Sequence, residues 1–458
     1  MSTKALWRVG AVLALAVTLG ARTAAAAPLT ADGAVKVALQ KSTEMLNAEA
    51  GVIQAKASLT GAYGGLLPTF SVGAGRSDGR TNGSFGQSAV SFLPNGDPFL
   101  ATGSRFNSSA TTLSGSWSIL SLGSWAQRSA ASHGMRSAQF TRQATRNDVA
   151  LATRRQFYGV VQAIKLAEVA TGALKRSRDD ERRVNAMFQV GSVSKSDLLK
   201  AQVATAQAEL DSITADHAII DQRIALAEQM GVIEPELGAV DTVLVATPAS
   251  YDEAAILSEA SRGRPDLVAA EGSLRSARAS VAAARLARLP FVSATGSASF
   301  NSRQFSTVSG TDLKLGQALA LQLPASGSNS SWRTTVSVSW DLFDLAGIDA
   351  RIGSSRAGEI RAQAAYDALK RNLASEVHQS LLAYNEALAQ NNVAQRGLES
   401  ATENLKLTQE KYNVGSATIL ELIDAQVQLQ TAQSNVVKAL AAIRVAEAQV
   451  NRVRGHGE

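Results

Sequence analysis

Few side chains in this sequence have the types and spacing that catalysis or metal binding requires. The four histidines show no spacing typical of metal ligands, and they are His133, His217, His378 and His456. The chain has no cysteine, which excludes disulfides, thiolate chemistry and a lipid attached to an N-terminal cysteine. Serine, aspartate and histidine form no recognisable nucleophilic or paired-carboxylate pattern. We therefore predict no enzymatic activity, no metal site and no cofactor.

Two segments of the sequence predict tight turns between helices. Val190–Gln202 aligns with Val414–Gln426, and each segment begins with Val-Gly-Ser. The glycine, Gly191 or Gly415, can take the left-handed conformation that ends a helix. A hydroxyl residue followed three positions later by an acid then forms a capping box, which opens the next helix. Each segment therefore predicts an antiparallel helical hairpin.

Charged side chains follow both turns. Asp197 and Glu421 occupy the acidic position of the capping boxes and lie near the positive end of a helix. Asp424 lies one helical turn further along and has no such local role, while its counterpart in the first segment is Lys200. Asp424 is therefore the stronger candidate for a functional carboxylate. Glu421 serves in capping, in function or in both, and Asp197 is interpreted as a cap.

The helices beyond both turns carry apolar stripes, and the helix beyond the first turn carries two. From Leu422 to Val450 a large apolar residue recurs every seven positions, with alanine at the other seam position. The segment between Leu198 and Ile224 carries two stripes of its own. The second is displaced from the first by about 140° around the helix. A two-stranded coiled coil needs one stripe, whereas a helix in the wall of a tube needs two.

Apolar residues alternate with small polar residues in four short segments, beginning at about residues 70, 112, 292 and 335. An apolar face opposite a hydroxyl-bearing face is typical of membrane β-barrels. The stretches 76–108 and about 301–331 are rich in Gly, Ser and Asn, and we predict long loops there. Four strands cannot close a barrel, because the smallest membrane barrels have about eight. The sequence therefore predicts that the chain oligomerises to close its sheet.

Several motifs recur at a nearly constant offset. Leu67-Pro68 matches Leu289-Pro290 at 222 residues, Trp117 matches Trp340 at 223, and Gly191 matches Gly415 at 224. A steady offset of this kind indicates a duplicated half. We predict two repeats, residues 27–230 and 251–458, joined by a proline-containing connection at residues 231–250.

The first 26 residues resemble a secretory signal peptide. Lys4 and Arg8 precede the apolar run Val9–Ala21, and a small-residue cleavage motif ends at Ala26. Removing Lys4, Arg8 and Arg22 lowers the formal charge from +6 to +3, and no basic cluster indicates binding to nucleic acid. No later stretch approaches ~20 uninterrupted apolar residues, so no membrane-spanning helix is expected.

Taken together, these features resemble the TolC family of outer-membrane efflux channels. The resemblance covers nearly the whole mature chain, and its motifs are Arg264-Pro265-Asp266-Leu267, Leu289-Pro290, Trp340-Asp341-Leu342-Phe343-Asp344 and the segment from Val414-Gly415 to Asp424-Ala425-Gln426. It implies a mixed α and β fold in which three subunits, with four strands each, form a 12-stranded transmembrane barrel. A long coiled-coil helical barrel would continue this trimer into the periplasm. There it would dock on a periplasmic adaptor and an inner-membrane pump.

The resemblance also implies roles for particular residues. Pro68 and Pro290 would mark the junctions between helix and strand. The turns would be the periplasmic tips that contact the adaptor, through Val190, Gly191, Ser192, Ser194, Val414, Gly415, Ser416 and Thr418. Glu421 and Asp424, with Lys200, would form the periplasmic gate. The aromatic residues near strand ends, Trp117, Trp340 and Phe343, would pack in the core or form a girdle at the lipid interface.

The expected function is therefore a passive exit duct for small molecules such as drugs, toxic compounds or metals, energised by the pump. An outer-membrane component of type I protein secretion is an alternative within the same family. A structural or adhesive coiled-coil surface protein is the alternative from another class, although it does not explain the strands or the second stripe.

Overall fold

The computed structural model describes residues 28–82, 90–92, 96–245, 248–312, 317–321, 325–340 and 344–455. These residues confirm a mixed fold of long helices and an antiparallel sheet. One compact unit combines the described residues up to Ser42 with Ala152–Pro248 and Glu386–Val445. The other combines Thr43–Leu151, Ala249–Asn385 and the described residues from Ala446 onward. The predicted signal peptide lies outside the described residues.

The helices of the described chain follow one another in two similar series. The first series is α1 (Ala31–Lys41), α2 (Thr43–Gly64), α3 (Leu122–Gln189) and α4 (Lys195–Met230). The second is α5 (Glu253–Gly263), α6 (Pro265–Leu286), α7 (Leu345–Asn413) and α8 (Ile419–Arg454). Their lengths are 11, 22, 68 and 36 residues against 11, 22, 69 and 36. This agreement is what a duplicated half would give. A short 3-10 helix, Glu234–Leu237, lies in the connection.

The helical segment from Ala31 to Gly64 is interrupted at Ser42, which separates α1 from α2. Ser42 is fully buried and extended, with ψ of 144°, although its N–H still bonds to Ala38 O at 2.8 Å. The end of α4 approaches the backbone here, because a Cβ on Gly231 would lie only 2.3 Å from Lys41 O. This tertiary contact involves residues far apart in the sequence, which is why the helical pattern alone did not predict the interruption.

We expect Gly231→Ala to destabilise the protein more than Gly415→Ala does. Both glycines have a positive φ, 70° and 77°, so any side chain at either position costs about 1–2 kcal/mol. Only Gly231 has a backbone atom in the space that the new Cβ would fill. Displacing that backbone adds about 1–3 kcal/mol. Thermal unfolding of the two variants side by side checks this, and equal losses would contradict the close approach.

The sheet contains four long antiparallel strands in the order β1-β3-β4-β6, with two short strands at its margins. The long strands are β1 (Thr69–Asn82), β3 (Pro98–Leu120), β4 (Phe291–Asp312) and β6 (Ala325–Ser339). The short strand β2 (Val90–Phe92) pairs with β3, and β5 (Ala318–Leu321) pairs with β4. Within the described sheet, β1 and β6 are edge strands and each pairs on one side only.

The prediction of long loops at residues 76–108 and about 301–331 is therefore wrong for much of these two stretches. The strands continue through these residues as far as Asn82 in β1 and Asp312 in β4, and β3 and β6 begin within them. Gly, Ser and Asn have low intrinsic strand propensity. The β1–β3 and β4–β6 ladders are nevertheless continuous, and the β3–β4 ladder runs the length of the strands with three register shifts. This pairing overrides local propensity.

The two faces of the sheet differ in chemistry as the sequence pattern predicted. On one face the apolar side chains are largely exposed, with 76% exposure for Phe70 and 73% for Val72. On the other face hydroxyls form pairs across the strands, such as Ser71 with Ser114 at 2.7 Å. Among the described helices, none has a stretch long and apolar enough to cross a membrane.

The two stripes predicted on α4 have different environments. Residues of the first stripe are buried, namely Ala201, Thr205, Ala208 and Ser212. Large residues of the second stripe are exposed by half or more, namely Val203, Leu210, Ile213, Ile220 and Ile224. One stripe therefore packs within the chain, while the other presents an apolar surface that the chain itself does not cover.

Candidate functional site

The two turns between helices have nearly identical backbone geometry. Gly191 and Gly415 adopt φ of 78° and 77°. Ser192 N donates to Met187 O at 2.8 Å, and Ser416 N donates to Lys411 O at 2.9 Å. These bonds satisfy carbonyls at the ends of α3 and α7, as in a Schellman motif. The local chemistry that predicted both turns is thus present in the structure.

The helix caps that follow the turns differ in detail. Thr418 and Glu421 form a reciprocal capping box, with Glu421 N to Thr418 Oγ1 at 3.3 Å and Thr418 N to Glu421 Oε2 at 3.2 Å. Asp197 is shorter by one methylene, and its carboxylate instead accepts a hydrogen bond from the Ser194 hydroxyl at 2.8 Å. This hydrogen bond, together with the nearby charge of Lys200, lowers the pKa of Asp197 below 3.8. Ser194 is the N-cap of α4, because its hydroxyl accepts a hydrogen bond from Asp197 N at 3.2 Å. The Asp197 carboxylate bonds to that hydroxyl and not to the Ser194 backbone N–H, so the predicted capping box forms in one direction only.

Both turns pack against one small apolar core. Val184, Ala201, Tyr412, Ile419 and Leu422 are buried together, and partly buried residues from both turns cover them. Burial raises the pKa of Tyr412, and the charges of Asp180 and Asp197 add to the effect. The Tyr412 hydroxyl has no hydrogen-bond partner among the described residues. The core joins the two hairpins, so their exposed residues lie at one end of this unit.

The predicted gate residues are exposed on the helices that leave the turns. Glu421 and Asp424 are exposed on the surface of α8, whereas Leu422 between them is buried. Asp424 accepts a hydrogen bond from Gln428 Nε2 at 2.7 Å, and Gln428 Oε1 accepts one from Asn404 on α7 at 3.2 Å. These two hydrogen bonds restrain the orientation of the Asp424 carboxylate. The sequence did not predict this restraint.

Lys200 contacts Asp197 of its own helix, with 3.4 Å between Nζ and Oδ1. Both side chains are partly exposed, so this pair contributes little to stability. The expected place of Lys200 in the gate stays a prediction.

The predicted tip residues are all exposed in the structure. The side chains of Val190 and Val414 are the largest apolar ones among them, with 76% and 79% exposure. Each of these valines directly precedes the glycine of its turn.

The junctions between helix and strand are stabilised by a tryptophan in each half. Pro68 and Pro290 directly precede the first residues of β1 and β4. The indole N–H of Trp117 donates to Leu66 O, and that of Trp340 donates to Arg288 O, both at 3.1 Å. Each tryptophan thus links the end of a returning strand to the turn before the outgoing one. Phe343, the third predicted interface aromatic, lies outside the described residues.

A groove on the hydroxyl-bearing face of the sheet contains a charged residue that sequence reasoning missed. The groove has a volume of about 260 Å³ and is lined by Thr69, Ser71, Ser114, Gly115, Ser116, Thr295, Gly296, Ser297, Arg333 and Thr335. Arg333 lies opposite Ser297 across the β4–β6 ladder. The alternation around residue 335 extends to Arg333 and would have placed it on this face. The sequence pattern, however, predicts a loop to about residue 331 and a strand from about residue 335, and residue 333 lies between the two.

Within the described residues, no group of three or more acidic, histidine or cysteine side chains is arranged to hold a metal ion. The chemical features of the chain are therefore two exposed turns with nearby carboxylates and a sheet with one apolar and one hydroxyl-bearing face.

Comparison with protein families gives a match over most of the chain. The model of the family described as "Outer membrane efflux protein" matches residues 34–232 and 256–456. The chain is 21% identical over 342 residues to outer membrane protein TolC of Escherichia coli, which covers 74% of this chain and 68% of that protein. It is 31% identical over 170 residues to outer membrane protein OprJ of Pseudomonas aeruginosa, over 37% of this chain and 32% of OprJ.

A further relative is nodulation protein T of Rhizobium leguminosarum bv. trifolii, at 23% identity over 273 residues. That match covers 58% of this chain and about half, 54%, of the relative.

Solved structures share the fold. The outer membrane channel CmeC of Campylobacter jejuni superposes with a TM-score of 0.76 at 19% identity, covering 93% of this chain and 86% of CmeC. The outer membrane protein VceC of Vibrio cholerae superposes with a TM-score of 0.72 at 18% identity, covering 93% of this chain and 96% of VceC.

Proposed function

The chain belongs to the outer membrane efflux protein family, and we propose that it is the outer-membrane channel of a tripartite efflux system. In this system three copies form a passive exit duct for small molecules, such as drugs, toxic compounds or metals. An inner-membrane pump supplies the energy through a periplasmic adaptor. The strands lie in the outer membrane, and the helices extend into the periplasm.

The observation that carries this proposal is the chemistry of the sheet. One face exposes large apolar side chains, the other carries paired hydroxyls, and both edge strands have unpaired backbone groups. In lipid such edges are too costly to leave open, because no water is available to bond with them. Joining β1 of one copy to β6 of the next removes both edges and leaves the hydroxyl face toward an aqueous lumen. Four long strands from each of three copies give the 12-stranded barrel.

The exposed apolar stripe on α4 supports assembly of identical copies. A monomer would leave Val203, Leu210, Ile213, Ile220 and Ile224 in water. Packing this stripe against a neighbouring subunit removes that surface, and each helix then contacts a neighbour on both sides, as in the wall of a tube. We extend the proposal to the two repeats, residues 27–230 and 251–458, each of which contributes one strand pair and one helical hairpin.

We further propose that the exposed turns contact the adaptor and that the carboxylates beyond the second turn restrict the entrance. In a trimer each carboxylate occurs three times around the axis. Asp424 is held by Gln428, so its charge is fixed in position. Lys200 lies beyond the first turn and supplies the opposite charge for pairing between neighbouring coils.

Removing either partner of that pairing is expected to open the entrance. Exposed ion pairs contribute about 0.2–1 kcal/mol each, so three of them favour the closed state by about tenfold. Asp424→Ala or Lys200→Ala should therefore raise the conductance of the resting channel. Asp216→Ala, which removes an exposed carboxylate far along α4, serves as the matched control. A resting conductance equal to that of the control channel would count against the gate.

Single-channel recording in planar lipid bilayers tests the function itself. The purified trimer should give discrete conductance steps of uniform size, because a closed barrel has one defined lumen. A structural or adhesive surface protein would give none. Protein without channel activity, despite a folded and trimeric state, would contradict the proposal.

A further inference from the structure

The hydroxyl-bearing face of the sheet carries positive charge at two described positions. This face extends along residues 69–77 of β1, 108–118 of β3, 293–303 of β4 and 327–337 of β6. Within these four described ranges, the residues on this face are Ser, Thr, Gly, Ala and Asn together with two arginines, Arg303 and Arg333. None of them is Asp or Glu. The Arg303 guanidinium stacks on the Phe106 ring at 4.3 Å from its centroid. Arg333 instead lies in the groove and is exposed.

The groove around Arg333 has the chemistry of a weak anion site. Its hydroxyls are paired with one another, Thr69 with Ser116 at 2.8 Å and Ser71 with Ser114 at 2.7 Å. A hydroxyl proton can rotate away from such a pair and point at a solute. A guanidinium presents several N–H donors in a plane that matches carboxylate, sulfate and phosphate groups. Arg333 and these hydroxyls therefore offer hydrogen-bond donors to an anion. Within the same four described ranges, this face includes no carboxylate that would repel the anion.

We propose that Arg333 makes the strand portion of the channel favour anionic solutes over cations of the same size. This inference rests on the proposed channel function, which directs the hydroxyl face toward the lumen and brings three copies of Arg333 around it. The solutes it favours carry carboxylate, sulfate or phosphate groups. Selectivity then has a contribution from the duct, in addition to the contribution of the pump.

The size of the effect follows from the charges. Three unit charges lie about 10 Å from a permeating ion in water and are screened by salt over one Debye length. They change the ratio of anion to cation permeability by roughly two- to fivefold. Screening grows with salt, so the preference is larger at ~0.1 M than at ~1 M, where the Debye length falls to about 3 Å.

Reversal potentials across planar bilayers under a potassium chloride gradient measure this ratio directly. The full chain carries Glu421→Gln and Asp424→Asn in every sample, so that the carboxylates proposed for the entrance do not contribute. In this background we expect Arg333→Gln to lower the chloride-to-potassium permeability ratio by roughly two- to fivefold. Arg333→Lys keeps the charge and should keep the ratio.

Arg76→Gln is the matched control. Arg76 is an exposed arginine on β1. Its neighbour Ser77 is on the hydroxyl-bearing face, where it bonds to Ser108, so Arg76 lies on the apolar face. Its removal should leave the ratio unchanged. An unchanged ratio in Arg333→Gln, or an equal change in Arg76→Gln, overturns the inference while the channel function stands. The absence of conductance from every channel contradicts the proposed function and this inference with it.

Discussion

Val336→Arg is expected to prevent assembly of the protein in the outer membrane. Val336 lies on the apolar face of β6, is 66% exposed, and is midway between Trp332 and Trp340 on the same face. An arginine near the middle of the lipid-facing band of a barrel costs about 2–4 kcal/mol, and the cost is incurred in each subunit. The loss is measured by the amount of protein in the outer-membrane fraction and by the proportion that chemical cross-linking captures as the proposed trimer.

Thr335→Arg is the matched control for that substitution. Thr335 is the next residue along β6 and faces the hydroxyl-lined groove, where an arginine already lies at position 333. The same charge there remains in water, so the trimer should form at close to the normal level. Loss of assembly in Thr335→Arg alone would mean that the faces of the sheet are assigned the wrong way round. Equal assembly of the two variants would contradict the proposed difference between a lipid-facing and a water-facing side.

Arg264→Ala is expected to destabilise the unit that contains the sheet by about 3 kcal/mol. Arg264 is 8% exposed and precedes α6. It contacts Asp266 with Nη2 to Oδ2 at 2.8 Å and Glu376 with Nη1 to Oε2 at 2.5 Å. Burial alone would lower the pKa of Arg264, but the hydrogen bonds to both carboxylates raise it. Removing one member of a buried ion pair typically costs about 3–5 kcal/mol, and the partial exposure of the carboxylates favours the lower value.

Thermal unfolding of the detergent-solubilised protein measures that loss. Glu376 is also contacted by Arg452, which bonds to Asp148 at 2.8 Å, so the Glu376 carboxylate retains a partner when Arg264 is removed. Arg454 provides a control, since its pair with Glu259 is more exposed, and Arg454→Ala should cost no more than about 1 kcal/mol. A melting temperature unchanged in Arg264→Ala would show that this cluster does not stabilise the unit.

The turns and caps could be predicted from the sequence because their chemistry is local. A glycine at positive φ and a hydroxyl residue with an acid three positions later specify the geometry at Gly191 and Gly415 without any distant contact. The apolar alternation near Val72 and Val336 likewise predicted the two faces of the sheet, because side chains on a strand alternate strictly between faces.

Features that depend on distant residues could not be predicted. The extension of β1 and β4 through Gly, Ser and Asn residues depends on pairing with β3 and β6, which local propensity does not report. The interruption at Ser42 depends on Gly231, and the environment of Arg333 depends on the register between β4 and β6. The ion pairs around Arg264 join residues from four helices. In the sequence only the motif Arg264-Pro265-Asp266-Leu267 could be recognised.

Disulfide cross-linking of β1 to β6 tests the central claim, that three copies close one sheet. The chain has no native cysteine, so Ser71→Cys can be combined in turn with Ser331→Cys, Thr335→Cys or Ser337→Cys without background. A bond forms only where the Cα atoms are about 4.4–6.8 Å apart. For at least one pair, the oxidised protein should run on a denaturing gel as monomer, dimer and trimer, with no larger species. A ladder that continues beyond three, or no cross-link from any pair, would contradict the closed trimeric barrel.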